Sequence, residues 1–161
     1  MSMKVLLFSL LFTGFAANAW AQGVELGVEG GVMEADAQHA QAAWGVRGGV
    51  TLNSNLRLQA RYLSMGMDGN ASLQELGGQA RVSMLPFALT PYGFVGIARR
   101  WLPDDGAWFV PFGGGLDLPL APFLRIAPEF TWHHLVSTPA LTDPTLARDG
   151  WNVSVVLHFD L

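Results

Sequence analysis

The chain has 161 residues, 50% of them hydrophobic and 14% charged, with 19 Gly, no Cys and a formal net charge of −4. That is one domain's length, too apolar for a disordered tail, and an acidic balance without a basic run gives nucleic acid no footing. The absence of Cys excludes a disulfide framework, a thiolate zinc site and a lipidated amino-terminal Cys.

Residues 1–21 have the organisation of a secretory signal peptide. Lys4, the only lysine, precedes an apolar run over 5–15, and Ala19-Trp20-Ala21 is a small-x-small cleavage site. The run is shorter than the roughly 20 apolar residues of a membrane helix. The expected folded domain is 22–161, where eight Arg stand against 13 Asp or Glu, a formal charge of −5. No later apolar run approaches membrane-helix length, so any contact of this domain with a bilayer has to be made by strands.

From residue 22 onward helical spacing fails and alternation recurs, as it does where strand neighbours point to opposite faces. Eight segments follow the pattern. Residues 22–33 set Val24, Leu26, Val28 and Val32 against Gly23, Glu25, Gly27, Glu29 and Gly31. Residues 43–52 set Trp44, Val46, Val50 and Leu52 against Gly45, Arg47, Gly49 and Thr51, and 56–63 set Leu56, Leu58, Ala60 and Tyr62 against Arg57, Gln59 and Arg61. In 73–84 the rows are Leu76, Ala80, Val82, Met84 and Glu75, Gln79, Arg81, Ser83. The fifth segment, 91–101, has no defined register, because Tyr92 and Phe94 compete with Val95 and Ile97 for the apolar face. Residues 107–118 set Trp108, Val110, Phe112, Leu116 and Leu118 against Gly113, Gly115 and Asp117. Residues 123–133 set Leu124, Ile126, Phe130 and Trp132 against Arg125, Glu129, Thr131 and His133. The last, 150–161, alternates Trp151, Val153, Val155, Leu157, Phe159 and Leu161 with Asn152, Ser154, His158 and Asp160.

The links alternate in length. Short, turn-rich ones at 53–55, 86–90 and 119–122 separate longer ones at 34–42, 64–72, 102–106 and 134–149, which describes an up-and-down meander with two unlike ends. Pro111 and Pro128 fall inside segments, and each removes a ladder donor, so a bulge or a strand end is expected at each.

Eight secreted strands close naturally into a barrel, either with an apolar inside or with an apolar outside. The polar rows hold Glu25, Glu29, Arg47, Arg57, Arg61, Glu75, Arg81, Asp117, Arg125 and Glu129, interleaved with Gly and free of Lys. Arginine's planar fork pairs with carboxylates in two-pronged geometry, which suits a narrow packed lumen better than a solvated exterior. Five tryptophans, Trp44, Trp101, Trp108, Trp132 and Trp151, fall near the longer links, as in a one-sided girdle at a membrane interface. Phe87, Tyr92, Phe123 and Phe159 are candidates for the opposite girdle.

The leader, the eight alternating segments and the closing residues 151–161 together resemble small outer-membrane β-barrels of the OmpA and OmpX type. The resemblance implies that the closing strand, with Trp151, Val153, Val155, Leu157, Phe159 and Leu161, is the signal read by the barrel-assembly machinery. Here the chain ends on Leu161 where a terminal Phe is usual, with Phe159 in phase. Residues 113–120 are also similar to the YfaZ-like barrels. Some barrels of this size modify lipid A. Glu129, His133, His134 and Ser137 are the only cluster of suitable residue types, but adjacent His residues on a strand point to opposite faces and Ser137 falls in a link. His39, His133, His134 and His158 are too scattered for a metal site.

The sequence therefore predicts an all-β, eight-stranded antiparallel up-and-down transmembrane β-barrel, with short periplasmic turns and longer extracellular loops, in the outer membrane of a Gram-negative bacterium. Its expected role is structural, in envelope integrity, or in surface interaction, with a packed, non-conducting lumen. It is expected to be monomeric and non-catalytic, without cofactor, metal or nucleic acid. Its expected partners are outer-membrane lipids and, during biogenesis, the assembly machinery. The alternatives are a lipid A-modifying enzyme and a soluble periplasmic barrel that binds an apolar ligand.

Overall fold

The computed structural model describes residues 23–34, 40–66, 72–84, 89–101, 106–137 and 149–161. The expected leader, His39, Phe87 and the middles of the four longer links lie outside them. The described residues form eight strands and no helix: β1 (Gly23–Glu34), β2 (Ala40–Thr51), β3 (Leu56–Gly66), β4 (Ser72–Ser83), β5 (Thr90–Trp101), β6 (Gly106–Ala121), β7 (Leu124–Ser137) and β8 (Gly150–Asp160). Each pairs antiparallel with the next, and β8 pairs with β1, so the sheet is a closed barrel without an edge.

The register has a definite stagger. Passing from partner to partner, Gly23 leads through Thr51, Arg57, Arg81, Phe94, Gly113, Thr131 and Asn152 back to β1 at Met33, ten residues above the start. A stagger of this kind accompanies strands tilted by about 35–45° and an interior that side chains fill. Because pairing preserves the face, every residue on that circuit points inward.

The two rows read in each strand separate as the alternation predicts. The fifth segment's register is also settled: Tyr92, Phe94, Ala98 and Arg100 are buried inside, while Val95 and Ile97 are 54% and 58% exposed outside. The ladder between β4 and β5 decides this, since Arg81 pairs with Phe94 and both must share a face. Tyr92 is therefore no part of an outer girdle.

Several strands run further than the hydropathy pattern. β2 begins at Ala40, β3 reaches Gly66, β6 spans Gly106–Ala121 and β7 continues to Ser137. Alternation fades where side chains leave the apolar band, but backbone groups go on pairing beyond it. At the opposite end the turns are tight. Asn53 Oδ1 accepts the N–H groups of Asn55 and Leu56, both at 2.9 Å, which closes β2 to β3 through a side-chain mimic of a backbone turn.

The prolines behave differently from one another. At Pro111 the ladder to β5 breaks off between Phe112 and Phe109, and a register shift against β7 follows between Trp108 and Phe109. At Pro128 the expected bulge or strand end is absent. The ladder to β6 skips the Pro128 position but resumes in unchanged register, and pairing with β8 is continuous. Each strand residue directs its N–H to one neighbour only, so a proline interrupts one ladder and leaves the other intact.

Candidate functional site: a charged barrel interior

All ten charged residues singled out in the sequence line the interior. Arg100, Asp160, Tyr92 and the glutamines Gln59 and Gln79 join them. Six carboxylates (Glu25, Glu29, Glu75, Asp117, Glu129, Asp160) face six arginines (Arg47, Arg57, Arg61, Arg81, Arg100, Arg125), so the described lumen charges balance apart from histidine.

Arg47, from the middle of β2, is the central brace. Its guanidinium spans the barrel to take Glu129 of β7 in two-pronged fashion, at 2.8 and 2.6 Å, and Glu29 of β1 on its other side. Tyr92 donates its hydroxyl to Glu129 at 2.9 Å, and Arg61 Nε donates to Glu29 at 2.7 Å. Space for this comes from glycines. A Cβ on Gly45 would lie 2.6 Å from Glu29 Oε1, and one on Gly115 would lie 2.5 Å from the Tyr92 hydroxyl. Gly45 and Gly115 thus leave room for the long side chains paired beside them, while at Gly31 and Gly113 an added Cβ would meet the backbone of the neighbouring strand.

Toward the short-turn end, Glu25 accepts hydrogen bonds from Arg57 and Arg125, both at 2.9 Å, and from Gln59, which is itself bonded by Gln79. Arg125 also holds Asp117 at 2.7 Å and Asp160 at 2.6 Å, tying β6 and β8 together through β7. Arg81 bonds Asp117 and sits over the Tyr92 ring, its guanidinium carbon 3.5 Å from the ring centroid, a cation–π contact. His158 Nε2 is 3.4 Å from Arg81.

Toward the other end, Glu75 takes two bonds from Arg100, at 2.8 and 3.1 Å, while Arg100 sits 4.2 Å over the Phe109 ring. His133 Nδ1 lies 3.2 Å from Glu75, within ion-pair range but without the alignment of a hydrogen bond. Beside this group the inward row turns apolar: Met33, Ala43, Leu63, Met65 and Leu73 form a buried cluster under the longer links. Its members stand in phase with the charged row, but alternation of polarity does not reveal them, because they are apolar and Met65 falls in a link of the sequence pattern.

The residues weighed for catalysis are not assembled into a relay. Glu129 is held by Arg47 and Tyr92, and His133 faces Glu75 inside. His134 points outward, with Nδ1 3.0 Å from Asp149. The side chain of Ser137 lies outside the described residues. The Leu135 N–H, donating to Asp149 at 2.8 Å, and His134 hold the Asp149 carboxyl below the usual carboxylate range. Among the described residues no group of three or more His, Asp or Glu is arranged to hold a metal ion.

The five tryptophans all belong to the outward row. Trp44 and Trp108 are exposed, Trp101, Trp132 and Trp151 half-buried, and all lie in the half of the barrel toward the longer links. On β8, Val153, Val155 and Phe159 are exposed outward, and the Leu161 N–H bonds the Val24 carbonyl at 2.8 Å, so the terminal residue still seals the seam with β1.

Arg47→Met should reveal the cost of the central brace. It leaves Glu29 and Glu129 buried without their shared cation, which typically costs about 3–5 kcal/mol. Urea unfolding of the folded chain in detergent should show that loss, and the double change Arg47→Met, Glu129→Gln should recover part of it, because Glu29 keeps Arg61 as its partner. Equal stability of Arg47→Met and the parent chain would contradict the assignment.

No protein-family model and no curated protein matches the chain. Solved structures do. The N-terminal β-barrel domain of Pseudomonas aeruginosa OprF superposes with a TM-score of 0.64 at 14% identity, covering 87% of this chain and all of that one. Neisserial surface protein A gives 0.60 at 10% identity, over 86% and 96% of the two chains. A de novo designed transmembrane β-barrel gives 0.57 at 15% identity, over 88% and 97%. A designed barrel among them underlines what such similarity carries: the chain has the fold of the small eight-stranded outer-membrane β-barrels.

Proposed function

We propose that the chain is an integral β-barrel of the outer membrane of a Gram-negative bacterium, monomeric and non-catalytic, with a structural role in the envelope or a role in surface interaction. The observation that carries this reading is the inversion of the barrel. Leu26, Val46, Val95, Ile97, Phe112 and Phe130 are each close to half exposed on the outer face, while the interior is filled by charged side chains. Water would make an apolar belt of that extent a liability; the hydrocarbon of a bilayer makes it the solvated surface. The strands, at 11–16 residues, are long enough to cross a bilayer core when tilted.

In this reading Trp44, Trp101, Trp108, Trp132 and Trp151 form the girdle at one interface, and Phe123 and Phe159 contribute to the other. Outer-membrane lipids are the surrounding solvent. The closing strand, with its apolar residues from Trp151 to Leu161 in phase, is what the assembly machinery reads. The lumen is packed and non-conducting, because the bridging arginines occupy its cross-section. The same packing speaks against a soluble barrel holding an apolar ligand, since no such ligand would replace paired charges.

Fractionation of cells expressing the full chain, with heat-dependent migration on SDS gels, tests the reading. The expected result is a heat-modifiable protein in the outer-membrane fraction, with an unaltered lipid A mass profile. A soluble protein that migrates alike with and without heating would overturn it. Leu58 offers a point test of the outer face. With 44% of its surface exposed there, Leu58→Arg should cost about 2–4 kcal/mol near the bilayer midplane. On a water-facing surface the same change would fall within about 0.5 kcal/mol of zero.

A further inference from the structure

Six of the seven described arginines turn into the lumen, and each meets a carboxylate there. Arg99 is the exception. It stands on the outward row of β5, exposed, directly above Val95 and Ile97. Its ladder partner on β6 is Trp108, whose ring centroid is 5.9 Å from the guanidinium carbon. On the far side of β6, diagonal to Arg99, His134 also faces outward, but it is engaged by Asp149. Asp149 in turn is occupied by His134 and the Leu135 N–H, so it is no counter-ion for Arg99.

We propose that Arg99, with Trp108 beside it, binds the phosphate of a membrane lipid at the outward surface of β5–β6. The inference rests on the membrane reading above. The charge is permanent, and it sits where the apolar band gives way to the tryptophan level. A guanidinium with its stem on apolar surface directs its head toward the interface, and the anions available at that height are lipid phosphates. Arginine's fork binds two phosphate oxygens at once, while the neighbouring indole packs against the same headgroup. The lumen shows that this fold otherwise directs its arginines inward, so an outward one at this height is a distinct feature.

The test uses the full chain folded into phosphatidylcholine vesicles doped with brominated phosphatidic acid, with tryptophan quenching as readout. Insertion is checked separately by heat-dependent migration. The expected result is an enrichment of phosphatidic acid around the barrel of about fivefold, the effect of one basic residue at an anionic surface. Arg99→Gln should return the ratio to that of the bulk lipid, and Arg99→Lys should keep part of it. Inorganic phosphate should not compete. Equal quenching of the parent chain and Arg99→Gln would overturn the proposal. Competition by inorganic phosphate would overturn the lipid as its source. A chain that enters no vesicle, and shows no heat-modifiable band, would overturn the membrane reading itself.

Discussion

In a closed antiparallel sheet each residue has a single choice, inward or outward, and the ladder hands that choice from strand to strand. Once Glu25 points inward, its neighbours on β2 and β8, Gly49 and Asp160, must do so as well, and the rule propagates round the barrel until it meets itself. A one-residue slip in any strand would put its whole charged row outside and its Val and Leu residues within. The stagger of ten residues is the condition under which all eight rows agree. Lumen, belt and seam all follow from that agreement.

The lumen is where the constraint is most costly. Removing six carboxylates and six arginines from water is unfavourable unless each finds a partner in good geometry. Arg47 achieves this by serving Glu29 on the adjacent β1 and Glu129 on β7 across the barrel, and Arg125 by serving three carboxylates. Such pairs contribute less to net stability than their number suggests, but they penalise every alternative register, because a slipped strand leaves an unpaired charge in a packed interior. Gly45 and Gly115 show the same economy of space: the long side chains of Glu29 and Tyr92 fit only because the residue paired beside each on the next strand has none.

Much of this was legible in the sequence, for a physical reason. A period of two carries the face of every residue in it, so the ten charged lumen residues and the outward tryptophans could be named from alternation alone. The fifth strand could not, because Tyr92 and Phe94 are apolar residues that belong inside: one bonds Glu129 and supports Arg81, and both pack with Ala127 and Val156. Arg100 was missed with them, since it shares their register. Hydropathy also cannot say who pairs with whom across the lumen, where partners such as Arg47 and Glu129 are 82 residues apart. Nor does it report where a ladder continues beyond the apolar band, which is why β6 and β7 run longer than their patterns.

The central claim is that one row of each strand faces lipid and the other a packed, charged interior. The absence of cysteine makes a direct measurement clean. Single spin-labelled cysteines placed in turn at residues 152–158 of β8, in the chain folded into lipid vesicles, would report accessibility to oxygen and to a water-soluble nickel complex. Oxygen accessibility should rise at 153, 155 and 157 and fall at 152, 154, 156 and 158, with the nickel complex excluded from the odd positions. High nickel accessibility at 153, 155 and 157 would mean that the apolar row faces water, and would contradict the account.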